Sequence, residues 1–257
     1  MNILVLFDGA GLSRLGLESA GHQCLGVELD PTKHELSRHL GSDRCVLAEA
    51  RAYARAHLSE FDAVWASPPC VRRISCIKDL TKADGLRDPQ FQGNHLRWCL
   101  SLPVPILWVE NVTLQGSRGN GWGRVWNAAQ FLREPRQNRN RIIGGRYPEP
   151  HVLHPYRRCF PGICPTITAT EYKASGATDK CRASRFYGRN LTVEECAWHQ
   201  GLTIPRAWYG IPEWFRPDDR FRGIHWRRNL YVAIGNAVPV YMARAFGAAL
   251  LHHGQAH

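Results

Sequence analysis

The chain opens on an apolar run, Ile3-Leu4-Val5-Leu6-Phe7, that Asp8 closes. A run with no polar face predicts a strand over 2–7 that is buried on both sides. Asp8-Gly9-Ala10-Gly11 predicts a tight turn, and helical spacing follows over 12–20. The alternation then repeats. A strand over 23–28 ends in Glu28, a helix spans 31–39, a short strand 45–47 and a helix 48–59. A buried strand over 61–66 runs into Ser67-Pro68-Pro69-Cys70. Residues 71–90 are polar, basic and aperiodic, which predicts a loop. A helix near 91–101 and a strand over 106–109, ending at Glu110-Asn111, complete the series. Strands alternating with helices at this spacing predict an α/β fold, a parallel sheet with helices on both faces. Ligands of such sheets bind beyond the carboxyl ends of the strands. The glycine turn, Glu28, Cys70 and Glu110 all fall at those ends.

From about residue 146 the pattern changes. Pro, His, Arg and Gly become frequent, and helical periodicity fades until about 192. The expected organisation is a first domain over 1–145, a small irregular domain over 146–234, and a segment over 235–257 that returns to the first. Ala237 to Leu251 predicts a closing amphipathic helix. There is no internal repeat and no low-complexity linker.

Composition refines this picture. Hydrophobic residues at 44% and charged residues at 21% suit a soluble globular chain with a full core. The first apolar run lacks a basic leader and ends too soon for a signal peptide or a membrane span. No later stretch is long enough to cross a bilayer, so the expectation is a soluble, cytoplasmic protein. The nine cysteines are scattered and odd in number, which favours reduced thiols over disulfides. Cys159, Cys164, Cys181, Cys196 and His199 could be read as zinc ligands, but no C-x-x-C knuckle supports a metal site. The net charge of +11 points to a polyanion partner. Arginines cluster at 72–73, 133–141, 157–158 and 220–228, the last group among Trp214, Phe215, Phe221 and Trp226. That mixture suits phosphate contacts beside base packing.

Particular residues narrow the chemistry. The Gly9 and Gly11 turn lets the backbone approach a ligand at a helix N-terminus, although a plain turn uses the same residues. It lacks the third glycine of a dinucleotide fingerprint, since Leu12 and Ser13 follow. Glu28, an acid at the next strand end, can bind a ribose diol, so the pair points to a nucleoside cofactor. Pro68 and Pro69 stiffen the backbone before Cys70, and Arg72 and Arg73 follow it. A buried structural cysteine is the common alternative, but nearby cations favour a nucleophilic thiolate. Glu110-Asn111-Val112 adds a carboxylate at the next strand tip. If Gln137 to Arg141 is a strand, Arg139 and Arg141 share a face. A thiol, a carboxyl and an arginine pair suit covalent attack on a base ring.

These residues resemble the motifs of the DNA cytosine-5 methyltransferases, in that family's order and over nearly the whole chain. Phe7-Asp8-Gly9-Ala10-Gly11 resembles the F-x-G-x-G cofactor motif, and Glu28 the acid that binds the cofactor ribose. Glu49 is similar to the position, usually Asp, that contacts the adenine. Pro68-Pro69-Cys70 resembles the nucleophile motif and Glu110-Asn111-Val112 the E-N-V motif. Gln137 to Ile142 fits Q-x-R-x-R-I, Arg189 to Glu195 fits R-x-L-T-x-x-E, and Gly235-Asn236-Ala237-Val238-Pro239 fits the closing G-N-A-V-P. The resemblance implies a Rossmann-like sheet that binds S-adenosylmethionine through Phe7, Gly9, Ala10, Gly11, Glu28, Leu29, Glu49, Ala50, Pro69, Asn236 and Ala237. It implies double-stranded DNA as partner and a monomer as the working unit. The target cytosine is flipped out of the duplex. Cys70 adds to C6, Glu110 holds N3 and the amino group, and Arg141, with Arg139 behind it, steadies the base carbonyl. DNA contacts are expected from Arg72, Arg73, Ser75, Asn111, Gln137, Thr166, Arg157 and Arg158.

The chain departs from the family pattern in three places. Val71 follows the cysteine where Gln is usual, and Ser75 comes one place late. The stretch from Asn111 to Gln137 is short and Gly-rich. Only about forty residues, between Arg146 and Arg189, stand where the family carries its target-recognition region, with Thr166-Ile167 resembling its element beside the flipped base. Few side chains can then reach base edges, so the expected target is short, about two or three base pairs. The same catalytic set serves tRNA in one eukaryotic branch of the family, and an inactive DNA-binding relative would keep much of it; both readings stand beside the first.

Overall fold

The computed structural model describes residues 1–40, 44–69, 89–112, 122–134, 136–168, 171, 182–202 and 224–253. Strand β1 (Asn2–Leu6) leads through a turn to helix α1 (Leu12–Ser19), then β2 (Gln23–Glu28), α2 (Pro31–Leu40), β3 (Cys45–Leu47) and α3 (Ala50–His57). A short 3-10 turn joins α3 to β4 (Ala63–Ala66). Helix α4 (Pro89–Leu100) and β5 (Ile106–Val112) follow, then β6 (Arg124–Asn127) and β7 (Asn140–Arg146). The remaining described elements are α5 (Arg182–Phe186), α6 (Val193–His199), α7 (Ile224–Asn236) and α8 (Val240–His253).

The strands form one seven-stranded sheet in the order β3-β2-β1-β4-β5-β7-β6. β1 to β5 are parallel, as the alternating pattern predicts. The sheet is nevertheless mixed, because β7 runs antiparallel to both β5 and β6. The connection between β6 and β7 carries a 3-10 turn, Ala128–Phe131, and among its described residues no crossover helix, and the two strands pair as antiparallel neighbours. β5 also runs on to Val112, so Glu110 and Asn111 lie inside the ladder rather than past its end.

Side chains alternate across β1, and each face has its own core. Ile3 and Val5 join Trp65, Trp108 and Ile143 beneath Leu17 of α1 and Met242, Phe246 and Leu250 of α8. Leu4 and Leu6 join Val64, Ala66, Leu107 and Val109 beneath Ala50 and Ala54 of α3 and Cys99 of α4. Gly16 lets α1 and α8 touch, since a Cβ there would meet the Val240 carbonyl at 2.4 Å. A third apolar cluster draws Cys164, Ile167, Ala183, Leu191, Cys196, Leu230 and Ile234 onto Ala10, Leu12 and Leu36. It seats the chain that follows β7 directly against the turn after β1. Among the described residues no single helix is long and apolar enough to cross a membrane.

Candidate active site

The strand order reverses between β1 and β4, so the crevice of the sheet opens there. On one side lies the glycine turn. Phe7, Gly9 and Gly11 all have left-handed backbones, with φ of 59°, 62° and 79°. Glycine adopts this without penalty, whereas Phe7 is strained and must be held. Its ring sits edge-on to His95 at 5.4 Å and to Trp98 at 6.5 Å, both on α4. Beneath the turn, the buried Arg14 guanidinium pairs with Asp8 at 3.1 Å and donates to the Ser37 hydroxyl at 2.8 Å. Ser37 in turn donates to Asp8 at 2.5 Å. Gly26 makes room for this pair, because a Cβ there would meet the Asp8 carboxylate at 2.3 Å.

Glu28 closes the turn from β2. It accepts from Gly9 N at 2.8 Å, Leu29 N at 3.0 Å and Asp30 N at 2.9 Å. These bonds fix its carboxylate and leave lone pairs for a hydroxyl donor. Leu29 and Leu47, at the ends of β2 and β3, are 64% and 50% exposed. Space is open beside Gly9, whose Cβ would find its nearest atom at 4.0 Å. A fixed acid, an apolar shelf and a glycine turn fit the ribose, adenine and chain of a nucleoside cofactor. Glu49 accepts from Ala52 N at 2.7 Å and caps α3, with Ala50 buried behind it.

On the other side stand Glu110 and Arg141. Glu110 lies opposite Ile143 in the ladder, so Arg141 is its diagonal neighbour on the same face. Arg141 Nε reaches Glu110 Oε1 at 2.7 Å, and both side chains are nearly buried. Burial pushes the Glu110 carboxyl above the usual carboxylate range, against the opposing pull of Arg141, a Ser67 hydrogen bond and the Arg139 charge. Asn111 donates to the Pro68 carbonyl at 3.1 Å. That bond ties β5 to the proline segment after β4, where Pro69 is exposed. Cys70, Arg72, Arg73 and Ser75 lie outside the described residues.

Arg139 lies just ahead of β7 and is fully buried. It donates to the carbonyls of Ile167 at 2.6 Å, Gly235 at 2.8 Å and Ala237 at 2.7 Å. It therefore pins the Thr166-Ile167 segment to the residues around Asn236, which is exposed at the end of α7. Gln137 extends this web: its amide donates to the His199 carbonyl at 2.7 Å and accepts from Ile167 N at 3.2 Å. Thr166 donates to the Asn138 carbonyl at 2.5 Å. Arg157 and Arg158 are exposed, and their carbonyls accept from Asn127 and Asn140 at 3.0 Å each.

Sequence reasoning missed Asp8, Arg14 and Ser37 as a unit, and missed His95 and Trp98 as the support of Phe7. The R-x-L-T-x-x-E segment has a structural use that its spacing could have revealed. Thr192 accepts from Glu195 N at 3.2 Å and donates its own main-chain N–H back to Glu195 at 2.8 Å, a capping box for α6. Arg189 clasps the same Glu195 carboxylate at 2.8 Å. Among the described residues no group of three His, Cys, Asp or Glu side chains could hold a metal ion.

No protein-family model matches the chain, and no curated protein matches it. Solved structures do match. The Dnmt2 methyltransferase of S. pombe is 14% identical over 100% of both chains, with a TM-score of 0.57. The methyltransferase EhMeth of Entamoeba histolytica is 12% identical over 98% of each chain, with a TM-score of 0.59. A prophage-encoded E. coli chain, assigned as a DNA modification methyltransferase, is 17% identical over 98% of this chain and 99% of its own, with a TM-score of 0.54. At such identities the shared property is the fold: a mixed seven-stranded, Rossmann-like sheet with helices on both sides.

Proposed function

We propose that the chain methylates C5 of cytosine in duplex DNA, at a short target, with S-adenosylmethionine as cofactor. The observation that carries this reading is the buried Glu110–Arg141 pair, joined through Asn111 to the proline segment that ends in Cys70. The fold shared with the Dnmt2 methyltransferase and the prophage-encoded DNA modification methyltransferase supports it, as does the net charge of +11. Phe7, Gly9, Glu28, Leu29, Leu47 and Asn236 would hold the cofactor, which supplies an activated methyl group. Cys70 attacks C6 of the extruded base as a thiolate. Burial raises the pKa of the Glu110 carboxyl and so favours a proton there, which would be donated to N3 as negative charge builds on the ring. Arg141 donates to the base carbonyl and holds Glu110 in place. C5 takes the methyl group, and loss of its proton then expels Cys70. Residues 146–234 would supply most contacts to the nucleic acid.

Duplex DNA carrying 5-fluorocytosine tests this, because fluorine at C5 cannot leave as a proton does. With cofactor present, the protein should form a denaturation-resistant adduct, and Cys70→Ser should abolish it while cofactor affinity stays within about twofold. Absence of any adduct, with both ligands shown to be bound, would overturn the reading. Labelled-methyl transfer to tRNA but not to DNA would move the same chemistry to an RNA substrate. Bisulfite sequencing of treated DNA should show a context of about two or three base pairs; four or more fixed pairs would refute the short target.

A further inference from the structure

The chain after β7 carries an aromatic surface that the proposed reaction does not use. Phe186 and Tyr187, at the end of α5, meet edge to face with ring centroids 5.1 Å apart. Tyr187 lies 5.8 Å from His199, and His199 lies 4.9 Å from Trp198 on α6. Arg136 closes the series, with its guanidinium 4.5 Å from the Trp198 ring centroid and a hydrogen bond to the Trp198 carbonyl at 2.9 Å. His199 is buried, but Phe186, Tyr187 and Trp198 are 47%, 41% and 48% exposed.

Hydrogen bonds fix the middle of this series. The His199 Nδ1–H donates to the Arg136 carbonyl at 2.5 Å, which leaves Nε2 to accept from the Tyr187 hydroxyl at 3.1 Å. Rings held this firmly need little ordering when something binds them. Three half-exposed rings joined in one contiguous patch mark an interaction surface.

The chemistry of the surface selects that partner. Its large groups are flat rings and a stacked guanidinium rather than aliphatic side chains, and a planar base is their natural complement. Arg185 and Arg189 stand exposed beside the rings, Arg189 paired to Glu195 and with Glu194 nearby in sequence. The chain as a whole carries +11.

We propose that Trp198, Tyr187, Phe186 and Arg136 form a stacking platform for an unpaired nucleotide that flanks the target. The nucleotide must be unpaired, because paired and stacked bases hide the faces that rings would cover. The placement of the target base rests on the function proposed above; the platform itself does not.

Fluorescence anisotropy on the full chain tests this with three labelled probes: a blunt DNA duplex, the same duplex with a single-stranded thymidine overhang, and an RNA hairpin with a single-stranded flank compared with its blunt form. The flanked DNA and RNA should each bind about fivefold or more tighter than their blunt forms. Trp198→Ala and Tyr187→Ala should remove that advantage while leaving blunt-duplex binding and the affinity for S-adenosylhomocysteine unchanged. Trp198→Phe, which keeps a ring, should retain most of it, and this separates loss of stacking from loss of fold. A flank that adds nothing, or an advantage that survives Trp198→Ala, overturns the platform. Fluorocytosine trapping without any flank advantage sinks the platform alone. A flank advantage without trapping keeps the platform and sinks the reaction.

Discussion

Among the described residues two arginines are fully buried, one under each half of the candidate site, and they are satisfied in different ways. Arg14 sits beneath the glycine turn and is held mainly by side chains, the Asp8 carboxylate, the Ser37 hydroxyl and, at 3.3 Å, Glu18, with one bond to the Ser37 carbonyl at 3.0 Å. Arg139 sits beneath the Thr166 and Asn236 segments, and its bonds to Ile167, Gly235 and Ala237 all go to main-chain carbonyls. The first is a charge pair within one βαβα stretch. The second is a geometric clamp on chain far away in sequence. A charge pair can be removed as a pair, whereas a clamp on carbonyls has no matching side chain to delete with it.

The largest expected effect follows from that contrast. Arg14→Met leaves the Asp8 carboxylate buried without its cation and should cost about 3–5 kcal/mol in urea unfolding. Adding Asp8→Asn should return a substantial part of the loss, since the uncompensated charge goes with it. Gly26→Ala should act in the same direction by driving a methyl group into Asp8. If the double variant is as unstable as the sum of the singles, Asp8 and Arg14 are not the coupled pair the geometry describes.

Arg139→Lys is the counterpart. An ammonium keeps the charge but cannot span carbonyls on two separate segments, so about one or two charge-assisted bonds are lost, each worth about 1.5–3 kcal/mol. The expected signature has two parts: lower stability, and weaker binding of S-adenosylhomocysteine as the residues around Asn236 lose their anchor. Substituting the neighbours Thr166 or Asn236 should not restore either, because Arg139 grips backbone. Rescue by such a side-chain change would show the clamp to be a pair after all.

The same contrast explains what the sequence revealed. β1, β2 and β4 announced themselves as apolar runs, and the turn after β1 through its glycines. Arg139 and Arg141 share a face only if Gln137 to Arg141 is a strand; β7 begins at Asn140, so Arg141 lies in it on the face of Glu110 and Arg139 stands just ahead of it. β6 escaped notice because Arg-Val-Trp-Asn is too short to show a period, in a stretch read as a Gly-rich connection. α7 escaped because its first turns are basic and polar. Arg139 was expected to stand behind Arg141, but its carbonyl partners have no residue code, and nothing in a sequence marks which backbone oxygen will need a donor. Asp8 and Arg14 could have been found as an acid and a base six apart around a turn, yet Ser37, which completes them, arrives from the next helix.

Acid provides the smallest and most selective comparison of the halves, because each is supported by a buried imidazole of lowered pKa. His95 supports Phe7 on the cofactor side, and its pKa is lowered by burial and then by the Arg51 charge. His199 supports Arg136 on the other side, lowered by burial and by the Arg136 charge, with the carbonyl bond and Glu195 opposing. A group with a depressed folded pKa contributes stability above its unfolded value, and that contribution fades as pH falls through the folded value. Urea midpoints measured from about pH 7.5 down to about pH 5 should therefore decline, and His95→Asn and His199→Asn should each flatten part of the decline. The two variants should differ in binding. His95→Asn loosens the strained Phe7 turn and should weaken cofactor affinity, whereas His199→Asn should leave it intact and weaken only the flanked oligonucleotide. Equal effects of the two on cofactor binding would mean that the halves are not independently held, and the contrast between the pair at Arg14 and the clamp at Arg139 would lose its functional meaning.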